Sequence, residues 1–292
     1  MSQFVNLSLN GISSGMVYAA VALGLVLVWR ATRLINFAQG SMAMFSTYMA
    51  VTLLDRQVDY WEAFAIALLA GLVMGAVVER VLIRPLGGKP EINPVIVTLG
   101  LLVLLEGLTG AIFGVQDRGF PAAFSQSGLT VGHHRVSFSH FDVFILASVL
   151  GLMVLMLILF RATDIGLRMR ASAFAPEMAR LAGVRVGRVL TLGWALASLV
   201  GSLAGLLVAP QTAFAPNYMD LIVVYAFTAA VVGGLDSPVG ALVGGLLTGL
   251  SLSWVGGYLG SSLEPLGALA ILMVVLSARP EGIFSRPRPR QV

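Results

Sequence analysis

Runs of about 20 apolar residues recur along almost the whole chain, and they limit what it can fold into. A helix that crosses a bilayer needs roughly 20 consecutive apolar residues. The runs lack the period-two alternation of a membrane barrel, so we predict an all-α, polytopic integral membrane protein with about nine transmembrane helices. The nine predicted spans cover residues 9–29, 34–54, 61–83, 92–114, 141–160, 189–209, 218–235, 238–257 and 263–278.

Composition excludes several classes of protein. Charged residues make up only 11% of the 292 residues, against about 25% in soluble domains. The chain has no cysteine, which excludes a disulfide scaffold. Its net charge is +4, but the basic residues are scattered among the loops rather than gathered on one face, so we expect no nucleic-acid partner.

Lysine and arginine divide unevenly between the two sides of the nine spans. Only Arg56, Arg118 and Arg135 fall on one side, and the rest of the 18 fall on the other. The positive-inside rule places the richer side in the cytoplasm. We therefore predict an external amino terminus and a cytoplasmic carboxyl terminus. The amino-terminal residues carry no Lys or Arg, so we expect no cleavable signal peptide.

Two connections between spans are long. Residues 115–140 are polar and glycine-rich and are expected to form an external loop over the outer mouth, whereas residues 161–188 form an internal loop. Neither is long enough to bury a core, so we predict one transmembrane domain over residues 1–292 with no soluble domain.

Motifs for catalysis, metal binding and nucleotide hydrolysis are missing. The adjacent pair His133 and His134 has the wrong spacing for one helix face, so we predict no metal site. The chain has no Gly-x-Ser-x-Gly turn, and we predict no catalytic residues. It also has no Walker loop and so cannot hydrolyse ATP by that route. We expect a protein that is not an enzyme and holds no cofactor.

Polar residues within predicted spans are candidates for a translocation path, because such residues are costly to bury in lipid. Glu106 is interpreted as the only carboxylate deep in a span, and it either lines a path or holds a donor between helices. Asn36, Gln39 and Ser41 give the second span a polar start. They either line a path for a small zwitterion or cap and cross-link the helix.

Glycine pairs spaced four residues apart predict close helix packing. The pairs are Gly11/Gly15, Gly71/Gly75, Gly201/Gly205, Gly240/Gly244 and Gly245/Gly249. The segment 232–240 interrupts two apolar runs with Gly, Asp and Pro. It is either a plain tight turn or part of a broken helix near a transport path.

The internal loop contains a short amphipathic element. Its apolar residues recur at steps of four and three and so form one helical stripe: Leu167, Ala171, Phe174, Met178 and Leu181. Arg168, Glu177 and Arg180 lie mostly off that stripe. Pro176 is expected to split the element or to begin a second helix, and Gly183 to end it. Such an element can lie on the membrane surface or in a groove of a partner protein.

Three segments resemble one known family. The loop 166–188, the segment Leu34-Ile-Asn-Phe-Ala-Gln-Gly40 and the segment 232–245 are similar, in order, to the inner-membrane permeases of branched-chain amino acid ABC transporters. The resemblance is to the shorter of the two permease subunits, the LivH type.

The resemblance implies half of a transmembrane pathway in a bacterial inner membrane. The implied partners are a second homologous permease or a copy of this chain, two cytoplasmic ATPase subunits that bind the ATP, and a periplasmic solute-binding protein. It also implies an ATPase-coupling loop at Leu167, Arg168, Phe174, Glu177, Met178, Leu181 and Gly183.

The cargo implied by the resemblance is a branched-chain or related amino acid, with urea and short amides as alternatives. The rival functions are a secondary transporter, which would carry ionisable residues on several spans, and a channel, which would show a filter motif. Neither signature is present in the sequence.

Overall fold

The computed structural model describes residues 3–90, 92–131, 134–212 and 214–284, and these fold into helices with one short hairpin. In chain order the helices are α1 (Gln3–Thr32), α2 (Gln39–Asp55), α3 (Tyr60–Val78), α4 (Ile92–Phe113), α5 (His140–Ala162), α6 (Asp164–Phe174), α7 (Pro176–Leu181), α8 (Val186–Val208), α9 (Asp220–Gly233), α10 (Pro238–Leu259) and α11 (Glu264–Ala278). The hairpin strands are β1 (Gly128–Val131) and β2 (His134–Ser139), which pair antiparallel.

Each of the nine predicted spans overlaps one long helix, and the all-α, polytopic class is confirmed. Within the described residues, seven helical segments are long and apolar enough to cross a membrane. The two predicted spans outside these seven segments correspond to α2, with 17 residues, and α9, with 14. At 1.5 Å per residue α9 is only about 21 Å long, which is less than the roughly 30 Å of a hydrocarbon core.

The start of the second span is a correction to the sequence analysis. Residues 34–38 are not helical, and α2 begins only at Gln39. An Asx turn explains the irregular entry, because the Ala38 N–H bonds the side-chain oxygen of Asn36 at 3.1 Å.

Two helices form the centre of the bundle. In α1 and in α8, 83% of the most apolar stretch is buried within the chain, against 22% in α4 and 6% in the segment that contains α11. The outer helices point Leu, Ile and Val side chains away from the bundle. Side chains of this kind suit contact with lipid or with another membrane subunit.

The predicted glycine packing is confirmed where α1 crosses α10. A Cβ atom placed on Gly15 would lie 2.8 Å from the main-chain oxygen of Gly245, and one on Gly249 would lie 2.3 Å from the Gly15 Cα. The backbones of the two helices therefore touch, and larger residues would separate them.

Contacts between helix ends show which loops lie on the same face of the bundle. Arg33 at the end of α1 pairs with Asp236 in the turn between α9 and α10. Arg84 after α3 bonds the Gly187 oxygen at the start of α8. We call the side that holds these ends the arginine-rich face. On the opposite face Arg118 pairs with Asp55 at 3.3 Å.

The short helix α9 is preceded by an irregular segment that is partly buried. The Phe214 ring stacks on Tyr48 of α2 with the ring centroids 4.3 Å apart. The Tyr218 hydroxyl lies 3.1 Å from both the Thr47 hydroxyl and the Gly205 oxygen. The chain before α9 is therefore irregular and is held by aromatic packing on α2 and by bonds to α2 and α8.

The turn between α9 and α10 is tight. Gly234 has a φ of +96°, which favours glycine, and the Ser237 hydroxyl accepts a bond from Gly240 N–H at the start of α10. Segment 232–240 is thus a short turn joining two helices rather than a further crossing.

The β1–β2 hairpin lies within the predicted external loop and leads into α5. Ser139 and Asp142 form a capping box at the first turn of α5. The Asp142 side chain also accepts a bond from Ser13 of α1 at 2.5 Å. His133 lies outside the described residues.

Candidate functional site

The internal loop forms the two helices that Pro176 predicts. α6 ends at Phe174, and α7 begins with Pro176 at its first position, where the missing N–H is not needed. Gly183 follows α7 with a φ of +81°, as expected for a glycine after a helix end. Pro176 and Gly183 therefore have the structural roles expected from the sequence.

The apolar stripe of this loop points away from the bundle. Leu167, Met178 and Leu181 are 61, 66 and 83% exposed. The residues that pack inward are instead Met169 and Ala179, at 3 and 5%. The Phe174 side chain lies outside the described part of the structure. The stripe is thus a free apolar surface on a helix pair that is anchored by its other side.

Charged side chains flank the stripe. Arg168 and Asp164 form an exposed pair at 4.0 Å within α6. Glu177 in the first turn of α7 and Arg180 in its last turn are both exposed. A partner that covers the stripe would therefore meet charges of both signs at its edge.

The helix pair is joined closely to the centre of the bundle. A Cβ atom on Gly166 would lie 2.1 Å from the Phe160 oxygen at the end of α5, so the first turn of α6 touches the α5 backbone. α6 packs against α1, α5 and α8, and α7 packs against α6 and α8. A displacement of the pair would therefore act on α1, α5 and α8.

The polar start of the second span is buried and bonded internally. Asn36 and Gln39 are each 1% exposed. The Asn36 amide donates to Gln39 Oε1 at 3.1 Å, and the Gln39 amide donates to the Ala197 oxygen of α8 at 2.9 Å. Ser41 donates to the Ala38 oxygen at 3.1 Å. Of the two alternatives, this geometry favours cross-linking of α2 to α8.

Glu106 occupies a different environment. It is half-buried on α4, and its carboxyl group lies close to that of Asp220, the first residue of α9. One half-buried and one exposed carboxyl group thus lie side by side. They would attract the ammonium group of an amino acid.

Glu79 is a second carboxylate of interest, because the protein buries it although it lies at the end of a span rather than deep within one. The Glu79 side chain is only 1% exposed, at the arginine-rich end of α3. Arg84, five residues later, pairs with it at 2.8 Å. The signal for this pair in the sequence was a Glu and an Arg five residues apart at the end of an apolar run. The third partner, Thr191, lies 112 residues from Glu79 along the chain.

Metal ligands do not cluster in the described residues. Among them, no three His, Cys, Asp or Glu side chains come close enough to hold an ion.

Comparisons with known proteins agree on one family. The family model described as branched-chain amino acid transport system, permease component, matches residues 7–278. The chain is 28% identical to the high-affinity branched-chain amino acid transport system permease protein LivH of Escherichia coli K12, covering 99% of this chain and 98% of LivH. It is 27% identical to BraD of Pseudomonas aeruginosa, a permease protein of the same description, covering 97 and 96%.

An archaeal relative and a solved structure extend the comparison. The chain is 30% identical to a probable branched-chain amino acid transport permease protein of Methanocaldococcus jannaschii, covering 90% of this chain and 87% of that protein. PsaBC from Streptococcus pneumoniae in complex with Fab aligns with a TM-score of 0.50 and 15% identity over 94% of this chain and 91% of the other. That similarity concerns the fold alone.

Proposed function

Because the chain belongs to the family of branched-chain amino acid transport permease components, it is a permease subunit of an ABC importer and not an enzyme, and we propose that it carries branched-chain or related amino acids inward. Such a subunit works with separate ATPase and substrate-binding components. The relatives named above are described as branched-chain amino acid transport permeases, which supports this cargo.

The α6–α7 pair is the coupling element of the proposal. The observation that carries it is the exposed stripe of Leu167, Met178 and Leu181 on helices whose other side is anchored to the bundle. An amphipathic helix that leaves its apolar face free suits a groove on another protein. The two cytoplasmic ATPase subunits provide that groove, and Arg168, Glu177 and the Gly183 turn lie at its edge.

The proposed mechanism depends on the short connection from α7 to α8. Only the residues 182–185 separate α7 from α8, which packs against α1, α2 and α3. When ATP binding closes the ATPase subunits, the coupling element moves and α8 moves with it. The bundle then opens alternately to the two sides of the membrane, with packed helices moving as units.

The proposed assembly has two permease subunits, either this chain with a related one or two copies of it. Two ATPase subunits bind on the arginine-rich face, which is cytoplasmic in this proposal, and a periplasmic binding protein docks on the opposite face. The positive-inside rule supports this orientation, and the membrane is the bacterial inner membrane.

The proposed path includes Glu106 and its neighbour Asp220. Leucine, isoleucine and valine have an apolar side chain and a zwitterionic head, so an apolar path with a few polar groups suits them. In this proposal α2 lies beside the path, and Asn36, Gln39 and Ser41 hold it in position there.

The test replaces the exposed stripe. In Met178→Ala/Leu181→Ala we expect the ATPase subunits to bind the permease at least about tenfold more weakly, because each truncation removes roughly 1.5–3 kcal/mol of apolar burial in the complex. The matched control is Leu266→Ala/Met273→Ala, which shortens the same two residue types at similar exposure on α11.

Co-purification of the ATPase subunits and solute-stimulated ATP hydrolysis are the measurements, with Glu177→Gln as a further variant. Equal binding and hydrolysis in the stripe variant and in the control would show that α6–α7 is not the coupling element.

A further inference from the structure

The end of α3 holds an ion pair with a buried carboxylate that no role described so far uses. Glu79 opens a π-helical turn, Glu79–Ile83, that continues α3. Arg84 follows this turn and donates from Nε to Glu79 Oε1 at 3.2 Å and from Nη2 to Glu79 Oε2 at 2.8 Å. Such a two-bond pair is geometrically specific.

The pair extends onto α8. Arg84 Nη2 also lies 2.8 Å from the Gly187 oxygen and 2.6 Å from the Thr191 hydroxyl, so its two N–H groups are shared among these two acceptors and Glu79 Oε2. The Thr191 hydroxyl lies 2.7 Å from Glu79 Oε2 and 2.8 Å from the Gly187 oxygen of its own helix, and its single proton is shared between these two acceptors. We call Glu79, Arg84 and Thr191 the α3–α8 cluster.

Burial makes the cluster act as a unit. The Glu79 side chain is 1% exposed, whereas that of Arg84 is 39% exposed. A buried carboxylate is stable only when its bonds are made, and removal of one partner leaves an uncompensated charge. A movement of α8 that takes Thr191 away would remove one hydrogen bond from this buried carboxylate, while Arg84, on the same segment as Glu79, would stay paired with it.

The cluster lies near the start of α8, the helix that follows the coupling element in the chain. Thr191 is in the second turn of α8, which α7 reaches through the residues 182–185. Glu79, Arg84 and Gly187 line a cavity of about 600 Å³ together with Pro176 and Arg180 of α7. Open space thus separates the coupling element from the end of α3, while α7 itself packs against α6 and α8.

The contact between α3 and α8 continues below the cluster. A Cβ atom on Gly75 would lie 2.4 Å from the Trp194 oxygen, and one on Gly71 would lie 1.8 Å from the Ser202 hydroxyl. The two helices therefore touch along their length. Single π-helical turns within α-helices occur frequently at functional sites, and this one lies at the end of α3 nearest the coupling element.

We propose that the α3–α8 cluster is the linkage through which displacement of the coupling element passes from α8 to α3. The inference rests on the proposed coupling function. Glu79, Arg84 and Thr191 are positioning residues, which hold two helices together and do not contact the cargo.

The main test is Thr191→Val, which removes the hydroxyl and preserves the shape of the side chain. The complete importer, with its ATPase subunits and binding protein, is reconstituted in vesicles, and labelled leucine taken up per ATP hydrolysed is measured. We expect a fall of about two- to tenfold, since the variant loses one partly buried hydrogen bond to the buried Glu79 carboxylate. Thr191→Ser, which keeps the hydroxyl, should restore the ratio.

The matched control is Thr109→Val. Thr109 is fully buried on α4, and its hydroxyl bonds only the Leu105 oxygen of its own helix. We expect leucine uptake per ATP in this variant to equal that of the unmodified importer. Glu79→Gln is the second cluster variant and should lower the ratio at least as much as Thr191→Val.

The outcomes separate the two proposals. If the unmodified chain does not bind the ATPase subunits, the proposed function fails. If it binds them and takes up leucine, but Thr191→Val matches Thr109→Val or Thr191→Ser is as impaired as Thr191→Val, the linkage is overturned alone. The linkage is also overturned if Thr191→Val does not assemble while Thr191→Ser does, because the cluster would then serve folding.

Discussion

The side-chain amide of Gln39 donates to the main-chain oxygen of Ala197 at 2.9 Å, so the first residue of α2 is bonded to the middle of α8. Two glycines make room for it. A Cβ atom on Gly24 would lie 2.8 Å from Gln39 Nε2, and one on Gly201 would lie 2.3 Å from it. Gln39 thus joins α2 to both central helices, α1 and α8.

Gln39→Met is expected to lower the free energy of unfolding by about 1–3 kcal/mol. The substitution removes the bond to Ala197 and leaves the Asn36 amide without its acceptor at 3.1 Å. The midpoint of thermal unfolding of the purified permease in lipid nanodiscs is the measurement, and it should fall.

Gln126→Met is the matched control for Gln39→Met. Gln126 also donates to a main-chain oxygen, that of Pro210 at 2.9 Å, but in an exposed position. Its loss should change the unfolding midpoint little. The two variants could unfold at the same temperature while only Gln39→Met impairs leucine uptake. Gln39 would then act on the translocation path and not as the link between α2 and α8.

Gly249→Ala should separate α1 from α10. The new methyl group would lie 2.3 Å from the Gly15 Cα and 2.5 Å from the Gly11 oxygen, and both atoms are backbone. We expect a loss of about 1–3 kcal/mol from overpacking. Thermal unfolding measures it, with Gly100→Ala as the control, since a Cβ atom there meets nothing within 4 Å. A Gly249→Ala protein as stable as Gly100→Ala would contradict the contact.

Phe214→Ala should destabilise the approach to α9. The side chain is fully buried and packs on Tyr48 and Tyr218, with ring centroids 4.3 and 4.9 Å away. Removing such a ring costs about 3–5 kcal/mol. Limited proteolysis followed by mass spectrometry should then show faster cleavage near residue 214.

Phe124→Ala is the control for Phe214→Ala. Phe124 also belongs to an aromatic cluster, with its ring 5.2 Å from Phe144, but it is 46% exposed. Cleavage near residue 214 should be unchanged in this variant. If Phe214→Ala is cleaved near residue 214 no faster than the unmodified protein, the segment does not depend on the stacked ring of Phe214.

The positions of the long helices could be predicted from the sequence because each apolar run carries its own signal. The break at Pro176 was predictable for the same reason, since the missing N–H of proline acts locally. In each case the deciding residues are neighbours in the chain. Their effect does not depend on how the helices pack.

The buried segment before α9 and the buried state of Glu79 could not be predicted in this way. Phe214 and Tyr218 lie in a short stretch near Pro210 and Asn217, which is typical of a loop. Their burial depends on Tyr48 and Gly205, which lie on other helices. Likewise Glu79 is buried beside Thr191, 112 residues away. Partners so distant leave no periodic pattern.

The Glu106–Asp220 pair provides the last prediction. If the two carboxyl groups bind the ammonium group of the cargo together, Glu106→Gln and Asp220→Asn should each lower leucine uptake about tenfold, the loss of one charge-assisted bond. ATP hydrolysis and binding of the ATPase subunits should remain, because the α6–α7 pair packs against α1, α5 and α8, whereas Glu106 and Asp220 lie on α4 and α9. The double variant should be little worse than either single variant, since interacting residues are not additive.

Glu62→Gln is the control for the carboxylate pair, because Glu62 is an exposed acid in the first turn of α3. Leucine uptake by the Glu62→Gln variant should equal that of the unmodified importer. A Glu106→Gln protein with normal uptake but a lower unfolding midpoint would instead assign Glu106 to helix packing. The pair would then contribute to the stability of the bundle, and the cargo would cross by a route that avoids α4.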